Sequence, residues 1–328
     1  MKLSFLFFGN KPDQKWVLSR QMGIKYAIAK LAPELTSTLP PWDFDALAAS
    51  KQIFKDNGFE LIGMEGDQFD MNRIKLGLPG REEDIAHYCQ MLENMGKLGI
   101  HLLCYNFMAG IGWFRTNTRI NARGGALVNG FEIEAAQQLS LTEVGIVTEE
   151  QIWENYAWFL ERVLPAAEKA GVKLALHPDD PPVSPLRGIG RIFKNANDIR
   201  RALSMSASEA HGLTFCQGTY TTMGEDVKAL ISEFGQRKKI FFVHIRDVEG
   251  NRNNFKETFH DDGPTDMPDM FRGYRDAGFT GPLRSDHVPS MAGDDNAQHG
   301  YTINGSLFGV GYIKGIMDAL EIKDEHGI

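Results

Sequence analysis

The sequence predicts a single closed (β/α)8, or TIM, barrel over residues 1–328, with a long inserted loop after the fourth strand. Three observations predict it. Eight short β-rich runs alternate with amphipathic helical stretches, and that alternation fits a closed parallel barrel better than an open doubly wound sheet. Several of the runs are apolar nearly throughout, as strands covered on both faces are. One phrase also recurs where a helix should give way to a strand: Asn57-Gly58-Phe59, Leu98-Gly99-Ile100, Ala170-Gly171-Val172 and Ala277-Gly278-Phe279. Each reads as a C-cap glycine turning into an apolar run.

In chain order the expected strands are Lys2–Phe8, Lys25–Lys30, Glu60–Glu65, His101–Phe107, Lys173–His177, Leu213–Cys216, Ile240–Ile245 and Pro282–Asp286. Between them apolar residues recur at helical spacing. Ile85, Tyr88, Leu92 and Met95 share one face, and so do Ile152, Tyr156, Phe159 and Val163. Thr148 and Gln151 have capping-box spacing at the start of the second of these helices. One segment breaks the rhythm. Met108 to Val147 separates the fourth strand from its helix and holds Trp113, Arg115, Arg119, Arg123 and the pair Gly124-Gly125. An insertion of that length is most simply a lid over the C-terminal barrel face, with a mobile surface loop as the alternative.

Composition sets bounds. The 328 residues, 42% of them hydrophobic, suffice for one large α/β barrel, and no linker rich in Pro, Gly or Ser divides them. A net charge of −8 gives no reason to expect a nucleic-acid partner. The three cysteines, Cys89, Cys104 and Cys216, are odd in number and widely spaced, which does not make a disulfide framework. The opening MKLSFLFFGN has an apolar run too short for a signal segment, and no stretch nears the roughly 18 apolar residues that span a bilayer. A soluble, cytoplasmic protein without membrane contact is expected. Neither a Walker A loop nor a GxGxxG after a strand is present, so nucleotide cofactors are not expected.

Four consecutive expected strands end in residue types that bind metals. The fifth runs into Leu176-His177-Pro178-Asp179-Asp180, the sixth into Phe215-Cys216-Gln217, the seventh into Val243-His244-Ile245-Arg246 and the eighth into Arg284-Ser285-Asp286-His287. In a barrel such ends converge on one mouth, where these folds keep their active sites. Two imidazoles, a thiolate and a carboxylate suit Mn²⁺, Zn²⁺, Co²⁺ or Fe²⁺. Singly, each residue has a plainer reading: a hydrogen-bonded structural His, a small buried Cys, an Asp N-cap. Four at equivalent positions on successive strands are not independent coincidences. Cys89, on an amphipathic helix, and Cys104, inside a strand, are expected in the core.

The segments LHPDDPP, FCQGT, VHIRDV, RSDHVPSMAG and GYTINGSLFGVGYIKG, with CYNFM and GIGRIF, resemble the mannonate dehydratase family, one of the xylose-isomerase-like barrels. The resemblance runs from Lys2 through the final helix. It implies a divalent metal, usually Mn²⁺, held by His177, Cys216, His244 and Asp286. It further implies catalytic roles for His287 and Tyr301, a homodimer or larger assembly, and dehydration of D-mannonate to 2-keto-3-deoxy-D-gluconate. This chain departs from the family pattern at Ser285, where a Pro is usual, at Ser306, at Asp247, at Ala109 to Gly112, and at Gln68-Phe69-Asp70, where a His is usual.

Dehydration of a sugar acid removes the proton α to a carboxylate and expels the β-hydroxyl. A metal can offset the developing charge, and a His and a Tyr can supply base and acid. Arg246 and Arg284 are candidates for the substrate carboxylate, since a guanidinium matches it bidentately. Asp179, with Asp180 beside it, is a candidate for sugar hydroxyls or for orienting a ligating imidazole. Asn106, Trp113 and Arg115 complete the candidate substrate contacts. The rivals are a metal-dependent sugar isomerase or epimerase, a dehydratase of another sugar acid on the same barrel, and a non-catalytic sugar-acid-binding protein. The product separates them.

Overall fold

The computed structural model describes residues 1–323, so the last five residues of the expected domain lie outside the described residues. In chain order the strands are β1 (Lys2–Phe8), β2 (Tyr26–Lys30), β3 (Glu60–Glu65), β4 (Leu102–Tyr105), β5 (Asn117–Asn121), β6 (Leu127–Glu132), β7 (Lys173–Leu176), β8 (His211–Cys216), β9 (Ile240–Ile245), β10 (Val248–Asn251), β11 (Asn254–Glu257) and β12 (Pro282–Ser285). Eight of them close a barrel in the order β1-β2-β3-β4-β7-β8-β9-β12, each neighbouring pair parallel. These are the eight runs read from the sequence, shifted by no more than two residues at any end.

Alternation along the strands builds two layers of core. Leu6, Ile28, Leu102, Cys104, Ala175 and Phe242 point inward and fill the barrel. Their neighbours point outward to the helices: Phe5 and Phe7 of β1 belong to the large outer cluster, where Phe7 packs on Trp16, Phe54 and Phe59. The helix Arg81–Lys97 buries Ile85, Tyr88, Leu92 and Met95, and the helix Glu149–Ala170 buries Ile152, Tyr156, Phe159 and Val163. Thr148 and Gln151 close their capping box in both directions. Glycines 58, 99, 171 and 278 all turn through positive φ between helix and strand.

The segment from Met108 to Val147 is not a bare loop. It contains β5, β6, a 3-10 turn at Arg123–Gly125 and a short helix at Ile133–Gln137. β5 and β6 pair antiparallel, and β6 pairs in turn with β11 of a second hairpin that leaves the barrel directly after β9. The result is a four-stranded sheet in the order β10-β11-β6-β5, built on the loops of the C-terminal mouth. Phe131, Val248 and Phe255 pack under it with Val183 and Leu186. The sequence signal was weak for a physical reason: β5, Asn-Thr-Arg-Ile-Asn, alternates between exposed and half-buried residues and presents no apolar run. Among the described residues no helix is long and apolar enough to cross a membrane.

Candidate metal centre and active site

Barrel register brings the expected donors to one depth. Cys216 at the end of β8 pairs with His244 of β9, and His244 pairs on its other side with Arg284 of β12. His177 continues the β7 ladder by donating its N–H to Tyr105 O at 2.7 Å, and Asp286 continues β12 by donating to Ile245 O at 2.9 Å. The ligand atoms of His177, Cys216, His244 and Asp286 consequently lie within 4.8 Å of one another. Gly218, one residue past the start of the helix that follows β8, lets this turn close, because a Cβ there would meet Arg246 Cγ at 2.8 Å.

The electrostatics of three of the four donors express one demand. Burial would push the Cys216 thiol up, but the Arg246 guanidinium and His177 outweigh it and hold Cys216 well below the usual thiol range. Burial likewise opposes ionisation of Asp286, yet His287, Arg284 and His244 hold it well below the usual carboxylate range. His177 moves the other way: burial would lower it, and the Cys216 and Asp286 charges raise it to about 9. Two anions thus ask for positive charge at their centre. His177 Nδ1 donates to Pro178 O at 2.7 Å, leaving Nε2 for a cation. Among the described residues neither buried ring nitrogen of His244 has a hydrogen-bond partner, which is costly in a purely structural His. The donor set fits a divalent metal.

Beside it stands a hydrogen-bonded pair. His287 Nε2 lies 3.0 Å from Tyr301 Oη, and His287 Nδ1 lies 2.8 Å from Glu257 Oε1 on β11. His287 adopts φ +24°, a conformation that L residues disfavour and that surrounding contacts must hold. One such contact is the Val288 N–H donating to Gly300 O at 2.8 Å. Gly300 itself sits at φ +83°, where a Cβ would press on Asn129 Nδ2 at 3.0 Å. Burial and the Asp286 charge keep the Tyr301 phenol well above its usual range, so it holds its proton. The Trp113 ring packs 4.8 Å from that of His287.

A cavity of about 390 Å³ opens over these groups, with Tyr301, His287, Asp286, Arg284, His177, Trp113 and Asn106 in its wall. The remaining sequence candidates sit behind that wall. Arg115 is bidentate to Asp180 at 2.7 and 2.8 Å and also reaches Glu257. Arg246 donates to Asp180 at 2.7 Å and to Thr219 Oγ1 at 2.9 Å. Asp179 accepts from the Phe193 N–H and faces Arg191, fixing the loop between them. Arg284 does line the cavity but is held by Glu65 and, at 2.9 Å, by Asp286. Asn106 Oδ1 accepts from Lys75 and the Met108 N–H.

Several polar residues of the site escaped the sequence reading, Asp67 of the cavity wall among them. Glu65, at the end of β3, comes within 3.5 Å of His244 Nε2, and the strand-end rule that found the four donors applies to it equally. Lys30, at the end of β2, is in the cavity wall and lies 3.7 Å from Glu34. Glu257 gave no signal at all, since it lies on a hairpin strand.

Comparison with known proteins identifies the family of the chain. The family model described as D-mannonate dehydratase (UxuA) matches residues 1–144 and 135–326. Mannonate dehydratase of Enterococcus faecalis is 34% identical over 363 aligned positions, covering 98% of this chain and 99% of that one. The crystal structure of mannonate dehydratase from Streptococcus suis serotype 2 superposes with a TM-score of 0.88 at 29% identity, over 98% and 96% of the two chains. A xylose isomerase domain protein from Planctomyces limnophilus shares the barrel alone, with a TM-score of 0.63 at 9% identity over 98% of each chain.

Proposed function

Because the chain belongs to the D-mannonate dehydratase family, we propose that it removes water from D-mannonate to give 2-keto-3-deoxy-D-gluconate, with a divalent cation held by His177, Cys216, His244 and Asp286. The observation that carries this reading is one cavity that joins a four-donor set calling for a cation to a hydrogen-bonded His287–Tyr301 pair. We take the cation to be Mn²⁺, which accepts such mixed donors; Zn²⁺, Co²⁺ and Fe²⁺ suit them too.

The reaction breaks the C2–H and C3–O bonds. A base takes the C2 proton, an acid returns one to the departing C3 hydroxyl as water, and the enol left behind loses its C2 hydroxyl proton and gains one at C3 to become the 2-keto acid. When bound, the cation supplies electrostatic stabilisation for the charge that develops as the C2 proton leaves. His287 and Tyr301 supply base and acid. Lys30 and Arg284 are the cations in the cavity wall, and we assign them the substrate carboxylate. Arg115 and Arg246 act from behind by fixing Asp180 and Glu257, while Asn106 and Trp113 close the sugar side.

The test offers the Mn²⁺-loaded protein a panel of hexonic and pentonic acids and assays for 2-keto-3-deoxy products. Turnover of D-mannonate to the keto-deoxy acid is the expected result. A stereoisomer as product would make the chain an isomerase or epimerase, and saturable binding without turnover would make it a binding protein.

We further propose that residues 108–147 act as a lid. Trp113 stands in the cavity wall, and Arg123 ties the hairpin tip to Asp261 on the surface through bonds of 3.0 and 2.9 Å that water can replace. Protease nicking within this segment is expected to slow when D-mannonate is added, with cleavage elsewhere unchanged. Equal rates with and without the acid would make the segment a permanent wall. Three free cysteines fit a reducing compartment, so we infer a cytoplasmic enzyme. The implied homodimer has one supporting feature, the exposed apolar side chains Leu139, Leu141, Val144 and Ile146, which a second copy would cover.

A further inference from the structure

We propose that Lys15, on the first helix, Gln14–Gln21, positions Tyr301 for its part in the reaction by holding the backbone carbonyl of that residue against the barrel. The proposal rests on the dehydratase reading for its reaction. Lys15 Nζ donates to Tyr301 O at 3.1 Å, across 286 positions of sequence. The contact joins the first helix to the residue just before Thr302, the N-cap of the last. Two aromatic rings flank the ammonium, with the centroid of Phe5 at 5.1 Å and that of Phe8 at 6.0 Å.

Packing alone does not call for a lysine here. The residue is buried, and burial pulls its ammonium down to about 8, although Asp13 pulls it up. A methionine would fill the space beside the two rings without that cost. What lysine adds is a donor that reaches a carbonyl. The helix that carries it is well seated. Asp13 caps it by accepting the Trp16 N–H, and Trp16 packs on Phe7 and Phe54 of the outer core.

Tyr301 needs such an anchor because the loop that delivers it, residues 288–300, is tied at its tip to the small sheet. Ser290 exchanges backbone hydrogen bonds of 3.0 and 2.8 Å with Leu127 of β6, and Asn296 Nδ2 donates to Thr118 O of β5 at 3.1 Å. The phenol must instead meet His287, beside β12. Phe8, at the end of β1 and in the cavity wall, packs edge-on against the Tyr301 ring at 5.1 Å and turns a face to Lys15. The ammonium therefore holds the main chain of Tyr301, and Phe8 holds the tilt of its ring. Lys15 is not in the cavity wall. It acts through Tyr301 and is a positioning residue.

The test separates positioning from packing. In the Mn²⁺-loaded enzyme, Lys15→Met is expected to lower kcat about 10–10²-fold on D-mannonate, with KM within about threefold and metal content unchanged. Its melting temperature should be no lower than that of the wild type, since the variant buries a thioether in place of an ammonium. In a Tyr301→Phe background the same substitution should cost little more, because its effect runs through the phenol. A kcat near wild type overturns the proposal, and so does an equal loss in the two backgrounds. A spectroscopic signature follows the residue without substrate. In full-length, Zn²⁺-loaded protein labelled with 3-fluorotyrosine, the Tyr301 resonance is identified by its loss in Tyr301→Phe. It is expected to be one sharp ¹⁹F line that broadens or splits in Lys15→Met. A line as sharp in the variant as in the wild type overturns the proposal. Should the Met variant fail to fold, Lys15→Gln, one bond too short to make the contact, decides by the same kinetics and the same line. A wild type inactive on D-mannonate sinks the dehydratase reading, and the fluorine spectra then decide whether Lys15 holds Tyr301.

Discussion

Tyr301→Phe is expected to lower kcat by about 10²–10⁴-fold while KM and metal content stay near wild type. The expectation follows from what the substitution leaves in place. The Tyr301 ring packs edge-on against Phe8 at 5.1 Å and His287 at 5.3 Å, and phenylalanine keeps both contacts. What disappears is the hydroxyl 3.0 Å from His287 Nε2, and with it one of the two groups proposed to move protons. His287→Asn should cost a similar factor by removing the other. The double variant should be little worse than either single one, because the two act as one unit and the second loss removes nothing that still works. The measurement is steady-state kinetics of the four proteins with D-mannonate at full metal loading. A Tyr301→Phe enzyme with near-normal kcat would reduce Tyr301 to a rim aromatic that packs the loop before the last helix.

The other large effect is expected at the metal donors. His244→Ala and His177→Ala should each lose at least most of the bound divalent ion, and turnover with it, while the barrel persists. Neither residue belongs to the apolar layers that hold the fold. Removing an imidazole leaves Cys216 and Asp286 facing each other as anions 3.8 Å apart, which raises both and weakens them as ligands. An ion that anchors four strand ends also stabilises the native state by mass action, about 4 kcal/mol when free metal stands a thousandfold above its Kd. Chelation should therefore lower the melting temperature of the wild type and leave that of the variants unmoved. Elemental analysis decides: full metal content in both variants would mean that the ion binds elsewhere.

The barrel and the four side chains that converge at its mouth were legible in the sequence because both follow from local rules. A strand buried on both faces writes itself as an apolar run, as in Ile240–Ile245, and a C-cap glycine such as Gly171 marks the turn into the next strand. Once eight strands are placed, the residue at each C-terminal end is known to face the mouth, and His177, Cys216, His244 and Asp286 follow. Glu65 was within reach of that rule. The small sheet was not, because β5 and β10 are largely polar, solvent-facing strands that earn no apolar pattern and because the pairing that joins the two hairpins, β6 with β11, is far off in sequence. The arginines show a different limit. Residue type and position suggested that Arg246 and Arg115 meet the substrate, but a guanidinium binds whichever carboxylates packing brings to it. Here those are Asp180 and Glu257, supplied by a loop and a hairpin whose placement no local pattern encodes.

The two halves of the site also differ in how the chain must assemble them. The metal donors sit on β7, β8, β9 and β12, which are neighbours both in the barrel and in the order of its strands. They come together as each βα unit docks on the last. The carboxylate behind His287 depends on contacts between residues 128 and 142 positions apart, Asn129 and Arg115 with Glu257. Ordering a connection of that length costs conformational entropy before any contact repays it, and β7, β8 and β9 of the barrel lie between β6 and β11 in the chain. Proton handling therefore depends on a long-range pairing, β6 with β11, in which none of the four donors takes part. A lesion that weakens only this pairing would leave a compact, metal-filled barrel, sound by melting and by elemental analysis, that does not turn over.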